Sequence, residues 1–340
     1  MTALLVLIVA VLSLLLTGAV RRYAIARRLL DHPNERSSHV APTPRGGGVA
    51  IVVTFCAGLA WLATTGKLAM EPAIALIGAG SWVALVGFID DHRHLPAGLR
   101  LCAHFIAAAW ALYWIGGLAP LPVFGTELQL GWFGHVAAAI FLVWVLNLYN
   151  FMDGIDGIAG IEAVTVALGG ALIWEITNGS GSVAMPVLLA AASAGFLAWN
   201  FPPARIFMGD VGSGFLGLVL SVFAVWSAHE AGRLFWCWVI LLGVFIVDST
   251  ITLVRRVLRG ERFYEAHRSH AYQYASRHFG QHRIVALAAG VINVAWLLPI
   301  AALVALEKID GVVGVVIAYL PLAWLAIRFN AGVKETPAKG

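Results

Sequence analysis

Apolar residues run through this chain in long blocks separated by short polar breaks. Eleven such blocks can be marked, at 2–20, 46–65, 72–89, 99–118, 132–149, 158–176, 185–201, 213–230, 234–254, 284–305 and 312–328. A helix rises 1.5 Å per residue, so about 20 apolar residues match a hydrocarbon layer of roughly 30 Å. Membrane-spanning strands would instead alternate apolar and polar positions, and no block does so. The pattern therefore predicts an all-α, polytopic integral membrane protein of about 11 transmembrane helices, forming one domain over 1–340.

Charge sets the expected orientation. The first block has its arginines after the apolar run (Arg21, Arg22, Arg27, Arg28), and no small-residue cleavage site precedes them. It reads as an uncleaved helix with its N-terminus outside. Of the 22 Lys and Arg, 19 fall on the side of the segments after odd-numbered blocks; only Lys67, Arg233 and Lys308 fall on the other. Positive residues stay inside, so the loops 21–45 and 255–283 and the C-terminal tail are expected in the cytoplasm.

Composition adds exclusions. The chain has 340 residues, 60% hydrophobic and 12% charged, with a mean hydropathy of +0.86. That leaves no room for a large soluble domain. The net charge of +4 follows topology and does not point to nucleic acid. Cys56, Cys102 and Cys237 lie inside blocks without metal-ligand spacing and read as reduced packing residues.

The polar clusters gather on the side that holds the positive charge. The fifth block ends in Asn147-Leu-Tyr-Asn150-Phe-Met-Asp153-Gly-Ile-Asp156-Gly157. Steps of three on a helix make Asn147, Asn150, Asp153 and Asp156 one slanting stripe, which Gly154 and Gly157 loosen. The third block ends in Asp90-Asp91-His92-Arg93-His94. The seventh leads into Arg205-Ile-Phe207-Met-Gly209-Asp210-Val-Gly-Ser213. Loop 255–283 carries Glu265-Ala-His267-Arg268-Ser-His270.

Asp90, Asp91, Asp153, Asp156 and Asp210 thus come from three loops, and carboxylates suit Mg²⁺ or Mn²⁺ with waters and substrate phosphates. No Cys/His cluster fits zinc. Arg36, Arg45, Arg205, Arg268, His39, His267 and His270 surround the acids. A cation held among acids, with basic groups beside it, describes a site for a phosphorylated substrate. Glycines at 46–48 and 209–214 offer backbone N–H groups to phosphate. Other polar features read as structural: Arg21–Arg28 as lipid head-group contacts, and His92 and His94 as solvated. Asp248, inside the ninth block, is a functional candidate or the partner of a neighbouring helix. Gly212-Ser-Gly-Phe-Leu-Gly217 matches a dinucleotide fingerprint, but no strand precedes it.

These motifs together resemble the polyprenyl-phosphate N-acetylhexosamine-1-phosphate transferases, the family of the MraY translocase and the WecA initiating transferase. The resemblance runs from about His32 to Arg283. It rests on His39…Pro42-Thr-Pro44…Gly46-Gly47, Gly87-Phe-Ile-Asp90-Asp91, Asn147…Asn150…Asp153-Gly-Ile-Asp156-Gly157 and Ile206-Phe207-Met-Gly209-Asp210-Val-Gly-Ser213. It implies transfer of a sugar-1-phosphate from a UDP-N-acetylhexosamine to undecaprenyl phosphate, releasing UMP, at the cytoplasmic face of a bacterial inner membrane. The implied cofactor is Mg²⁺ or Mn²⁺, and the implied partners are the two substrates and membrane lipids; a homodimer is compatible with it. By resemblance, Asp90, Asp91, Asp153, Asp156, His267 and His270 are catalytic. Asn147, Asn150, His39, Arg45, Phe207 and Arg268 bind the nucleotide sugar, and Asp210, Asp91 and Asp156 hold the metal. The family's His-rich motif is altered here to His267-Arg-Ser-His270, closer to the branch that starts O-antigen or exopolysaccharide synthesis. That leaves GlcNAc, FucNAc or QuiNAc as the sugar. The rival class is a transporter, but its site belongs near the midplane of repeated halves, and this chain has no repeat.

The charge asymmetry makes a test. A reporter fused after Gly340 is expected in the cytoplasm and one inserted near Gly179 outside. Finding both on one side overturns the eleven-span arrangement.

Overall fold

A computed structural model of the chain describes residues 2–33, 41–93, 95–177, 183–261 and 268–334. Arg36, His39, His94, Glu265 and His267 lie outside the described residues. Each of the eleven expected blocks is helical. They are α1 (Thr2–Ala26), α2 (Gly48–Thr64), α3 (Met70–Arg93), α4 (Ala97–Ile115), α5 (Trp132–Met152), α6 (Ile158–Ile176), α7 (Ala184–Asn200) and α8 (Asp210–Ser227). Then follow α9 (Arg233–Leu241) with α10 (Gly243–Leu258), α12 (His282–Ile292) with α13 (Leu298–Ala305), and α14 (Gly311–Arg328); the short α11 (Ala271–Phe279) precedes α12. Among the described residues eight helices are long and apolar enough to cross a membrane, or nine if α9 and α10 are one bent span. The shorter α2 and α7 have 17 residues each. The protein is an all-α, multi-pass membrane protein.

The helix α8 is the axis of the bundle. It is apolar on all sides, which is the pattern of a helix surrounded by others, and all of its residues but Asp210 and Trp226 are buried. It packs against α3 on one side and α5 on the other. Glycines permit the approach. A Cβ on Gly87 in α3 would lie 2.5 Å from the Asp210 carbonyl oxygen, and one on Gly48 in α2 would lie 2.4 Å from the Gly212 Cα. Backbone against backbone at that distance leaves no place for a side chain, so the ends of α2 and α3 are held directly on the first turn of α8.

Four blocks differ from expectation. The ninth, expected as one span over 234–254, is broken between α9 and α10 at 72°. The signal was Gly243, whose absent Cβ would sit 2.9 Å from the Tyr319 ring of α14. The tenth passes through a π-helical turn, Asn293–Leu297, just before Pro299; a proline has no N–H to give the regular ladder, and a widened turn absorbs the mismatch. Finally, α3 and α5 extend beyond their apolar blocks, so Asp90, Asp91 and Asn150 stand on helix while Asp153 terminates α5 with non-helical angles (φ −85°, ψ 52°). The polar stripe is therefore helical only as far as Asn150.

Two small hairpins complete the fold. β1 (Leu30–Asp31) pairs antiparallel with β2 (Thr43–Pro44), and β3 (Leu121–Val123) with β4 (Thr126–Leu128).

Gly87→Ala is expected to destabilise the protein by about 1–3 kcal/mol, the usual result of overpacking a tight contact. Gly98→Ala, at an α4 position with open space around it, should be neutral or stabilising because alanine is the better helix former. Thermal unfolding in detergent checks the pair, and equal melting temperatures would contradict the contact.

Candidate active site

The ends of α3, α5 and α8 meet at one end of the bundle, and two loops cross them. The loop carrying Arg45 is stitched to the loop before α8. Phe207 N donates to the Pro44 carbonyl (2.8 Å), Gly47 N to Phe207 O (2.9 Å) and Gly48 N to Met208 O (2.9 Å). This short ladder delivers Arg45 to the start of α8. Gly209 adopts a φ of +77°, and a Cβ there would lie 2.6 Å from Asp91 Oδ2. Only glycine allows both that backbone and that carboxylate.

Charge is compensated locally. One nitrogen of Arg45, Nη2, bridges Asp91 Oδ1 (3.0 Å) and Asp210 Oδ1 (2.9 Å). Arg100 Nη1 pairs with Asp90 Oδ2 and stands 3.9 Å from Asp210 Oδ2. The backbone N–H groups help: Leu95 N donates to Asp90 Oδ1 (2.6 Å) and Asp210 N, at the positive end of α8, to Asp91 Oδ1 (3.2 Å). Burial lowers the affinity of Arg45 for its proton, but Asp210, Asp91, Asp31 and Asp153 outweigh it and raise the pKa above the ordinary guanidinium value. For Asp153 burial acts first and raises the carboxyl well above its usual range; Arg45 opposes, and Asp210, Asp91 and Asp156 add to the rise.

These groups surround a polar cavity of about 230 Å³, whose walls include Arg45, Asn150, Asp153, Asp156, Phe207 and Asp210. Two larger recesses adjoin it. One, of about 570 Å³, shares Asp156, Phe207 and His282 with it and adds Arg283 and the Pro202–Ala204 turn. The other, of about 480 Å³, shares Asp31 and Arg45, reaches Asp91, and is walled by apolar groups such as Val20, Val49 and Phe88.

A family model described as glycosyl transferase family 4 matches residues 73–228. A phospho-N-acetylmuramoyl-pentapeptide-transferase of Moorella thermoacetica is 31% identical over 279 residues, covering 75% of this chain and 84% of that protein. The chain belongs to glycosyl transferase family 4. A probable undecaprenyl-phosphate N-acetylglucosaminyl 1-phosphate transferase of Bacillus subtilis is 29% identical over 269 residues (76% of this chain, 73% of that one). A decaprenyl-phosphate N-acetylglucosaminephosphotransferase of Mycolicibacterium smegmatis is 29% identical over 293 residues (76% and 71%). The protein is thus a membrane-embedded transferase whose relatives are polyprenyl-phosphate sugar-1-phosphate transferases.

Within the family's motifs the structure sorts the expected residues. Asp91, Asp153, Asp210, Asn150, Arg45 and Phe207 converge. Asn150 Nδ2 donates to Ser213 Oγ (3.1 Å). Asp156 touches the cavity but is tied down: Oδ2 accepts from Ala204 N (2.9 Å) and Oδ1 lies 3.2 Å from His282 Nδ1. Asn147 is one turn deeper, donating to Val143 O (2.7 Å) and 3.4 Å from His104 Nδ1, so it does not line the cavity. Arg205 lies over the Trp199 ring. His92, expected to be solvated, is exposed but lines the apolar-walled recess.

Of the two expected histidines, His267 lies outside the described residues and His270 stands away from the cavity. His270 is 1% exposed, with Nδ1 3.4 Å from Asp248 Oδ1, and it does not line the cavity. The reason is Asp248, which caps α11 by accepting from Ala271 N (2.9 Å) and Tyr272 N (2.9 Å). The helix so held presents Gln273 to the cavity instead, and Tyr272 Oη donates to Phe151 O (3.0 Å) beside it. Arg268 is half-buried, and its carbonyl accepts from Arg277.

Sequence reasoning missed Arg100, Asn200, Gln273 and His282. Asn200 is buried and joins the two motif loops, accepting from Gly157 N (3.0 Å) and donating to Ile206 O (2.9 Å). The available signal was position, since Arg100 and Asn200 are polar residues within the end turns of apolar blocks.

The donors fit a hard divalent cation. Asp91 Oδ2 is buried without a hydrogen-bond partner, and the acids around the cavity offer carboxylate oxygens, the donors that Mg²⁺ and Mn²⁺ prefer. Among the described residues no three His, Cys, Asp or Glu side chains form a ready cage; Arg45 stands between two of the carboxylates.

Gln273 Oε1 also accepts from His270 N (3.2 Å), so His270→Ala and Gln273→Ala are both expected to lower the melting temperature, and only Gln273→Ala to raise KM for the sugar-phosphate donor, by ~3-fold or more, on the order of one hydrogen bond. The reverse pattern would restore the histidine to the substrate.

Proposed function

We propose that the protein transfers an N-acetylhexosamine-1-phosphate group from a UDP-sugar to undecaprenyl phosphate at the cytoplasmic face of a bacterial inner membrane. UMP leaves, and the lipid-diphosphate sugar initiates O-antigen or another envelope polysaccharide. The observation that carries this reading is the Asp91–Arg45–Asp210 bridge at the meeting of a polar cavity and an apolar-walled recess. A water-soluble nucleotide sugar and an isoprenyl phosphate need those two surroundings. The relatives act, by their names, on undecaprenyl or decaprenyl phosphate. Nineteen of 22 positive charges lie on the side that carries these loops, which supports eleven spans with the C-terminus inside.

In the reaction an oxygen of the lipid phosphate attacks the β-phosphorus of the UDP-sugar, and the bond to the bridging α–β oxygen breaks as UMP departs. Both reactants are anionic. Asp90 fixes Arg100 so that its charge faces the start of α8, where it lessens repulsion between them. Phe207 and the Arg283 recess offer an aromatic face and a cation to the nucleotide. Gln273 and Asn150 supply amides to sugar or phosphate. Mg²⁺ held by Asp210 and Asp91 would stabilise charge in transfer and on the leaving UMP. Asp156, through Ala204 N and His282, keeps the two recesses in register. A transporter is not favoured, because the ionisable groups gather at one end of the bundle.

Purified protein given undecaprenyl phosphate, Mg²⁺ and a panel of UDP-sugars is expected to release UMP with at least one of them, and to stop in EDTA. Asp210→Asn should reduce the rate by ~10² or more, the scale of removing one preorganised electrostatic group, with the melting temperature preserved. No UMP from any sugar overturns the reaction; full activity in EDTA overturns the metal.

A further inference from the structure

Arg45 is the basic residue shared by the polar cavity and the apolar-walled recess. It and Asp31 line both the polar cavity and the apolar-walled recess, whereas Asp91 lines only the recess and Asp210 only the cavity. Its Nη2 sits 3.0 Å from Asp91 Oδ1 and 2.9 Å from Asp210 Oδ1. These carboxylates come from α3 and α8, and a single nitrogen spans them. A divalent cation bound by both would need the same place and the same lone pairs. Meanwhile Asp91 Oδ2 is buried and without a hydrogen-bond partner, although its side chain is only 5% exposed. The guanidinium satisfies one oxygen of that carboxylate and leaves the other for something else.

We propose that Arg45 is a stopper: it closes the cation position between Asp91 and Asp210 until a substrate phosphate draws it away, so that phosphate and divalent cation bind with positive coupling. This rests on the metal reading above. Arg45 is free enough to move, with 35% of its side chain exposed. A phosphate dianion matches the guanidinium fork in two parallel hydrogen bonds, a better complement than one nitrogen shared between two carboxylates. Moving Arg45 also takes away one of the two side chains, with Asp31, that the cavity and the recess share. Charge stays balanced: the cation replaces the guanidinium among the acids as the guanidinium follows the phosphate. By linkage each ligand then raises the affinity of the other by the same factor. The phosphate has two sources, the isoprenyl monoester in the recess or the nucleotide in the cavity.

Mn²⁺ binding to the full-length protein in detergent, followed by electron paramagnetic resonance, tests this without turnover. In the unaltered protein, farnesyl phosphate is expected to tighten Mn²⁺ binding by ~10-fold or more, within the usual range of such couplings. Arg45→Gln should bind Mn²⁺ ~10-fold more tightly than the unaltered protein with no phosphate present, and farnesyl phosphate should then add less than ~3-fold. UMP run in parallel assigns the source: coupling with UMP and not with farnesyl phosphate supports the stopper and places its trigger on the nucleotide. If Arg45→Gln binds Mn²⁺ no tighter than the unaltered protein, or keeps the whole phosphate effect, the stopper is wrong and the metal site stands. If the unaltered protein binds no Mn²⁺ with either ligand, both fall together. Should the variant not fold, a structure of the Mn²⁺-loaded protein decides: Arg45 turned off the carboxylates supports the proposal, and Arg45 still bridging them overturns it.

Discussion

The contact on which this molecule depends is backbone against backbone, where α2 and α3 press on the first turn of α8. Gly87 and Gly48 leave no side chain there, so the groups just beyond them are placed by main-chain geometry and not by loop conformation. Asp90 and Asp91 follow Gly87 by three and four residues, one helical turn. They arrive beside Asp210 because the helices cannot sit at any other distance. In a membrane this economy is available: helix association there relies on close packing of small residues, and the same packing that holds the bundle aligns the acids.

Gathering carboxylates so closely creates an electrostatic problem that the loops solve. Unpaired charges in a partly dry site are expensive, and like charges within a few ångströms oppose ionisation. Arg45 and Arg100 each neutralise one acid and lean on a second, and the N-terminal end of α8 adds an N–H to Asp91. The outcome is a site poised for exchange. Arg45 is held there by ion pairs to two acids, one of them a hydrogen bond to Asp210, whereas Asp156 is fixed by a backbone N–H and a histidine.

Much of this was legible before any coordinates. Apolar blocks are decided by the solvent, so the helical character of all eleven could be read from composition over windows of about 20 residues. Asp91, Asp153 and Asp210 were legible because an acid at a membrane boundary has few bland explanations. What stayed hidden depends on angles. The 72° break before Gly243 leaves hydropathy unchanged across it. The setting of His270 stayed hidden for the same reason: its spacing from His267 suited a phosphate, while Asp248, twenty-two residues earlier, accepts from the start of α11 and His270 is buried beside it. Gln273 then takes the cavity-facing place, with no motif to announce it.

Asp248 shows what a buried carboxylate outside the acidic cavity can do in a membrane transferase. A short helix such as α11, nine residues long, is marginal by itself, and its first N–H groups need acceptors. A water-facing protein would use a serine or solvent. Here the start of α11 lies against α10 inside the bundle, and one aspartate takes two N–H groups, with the Thr252 hydroxyl at 3.1 Å as a third donor. The charge is thus spent on orientation: it fixes a helix whose next turn touches Phe151 and faces the acids. The membrane-buried acid and the cavity acids are parts of one arrangement, the first aligning the wall across which the others work.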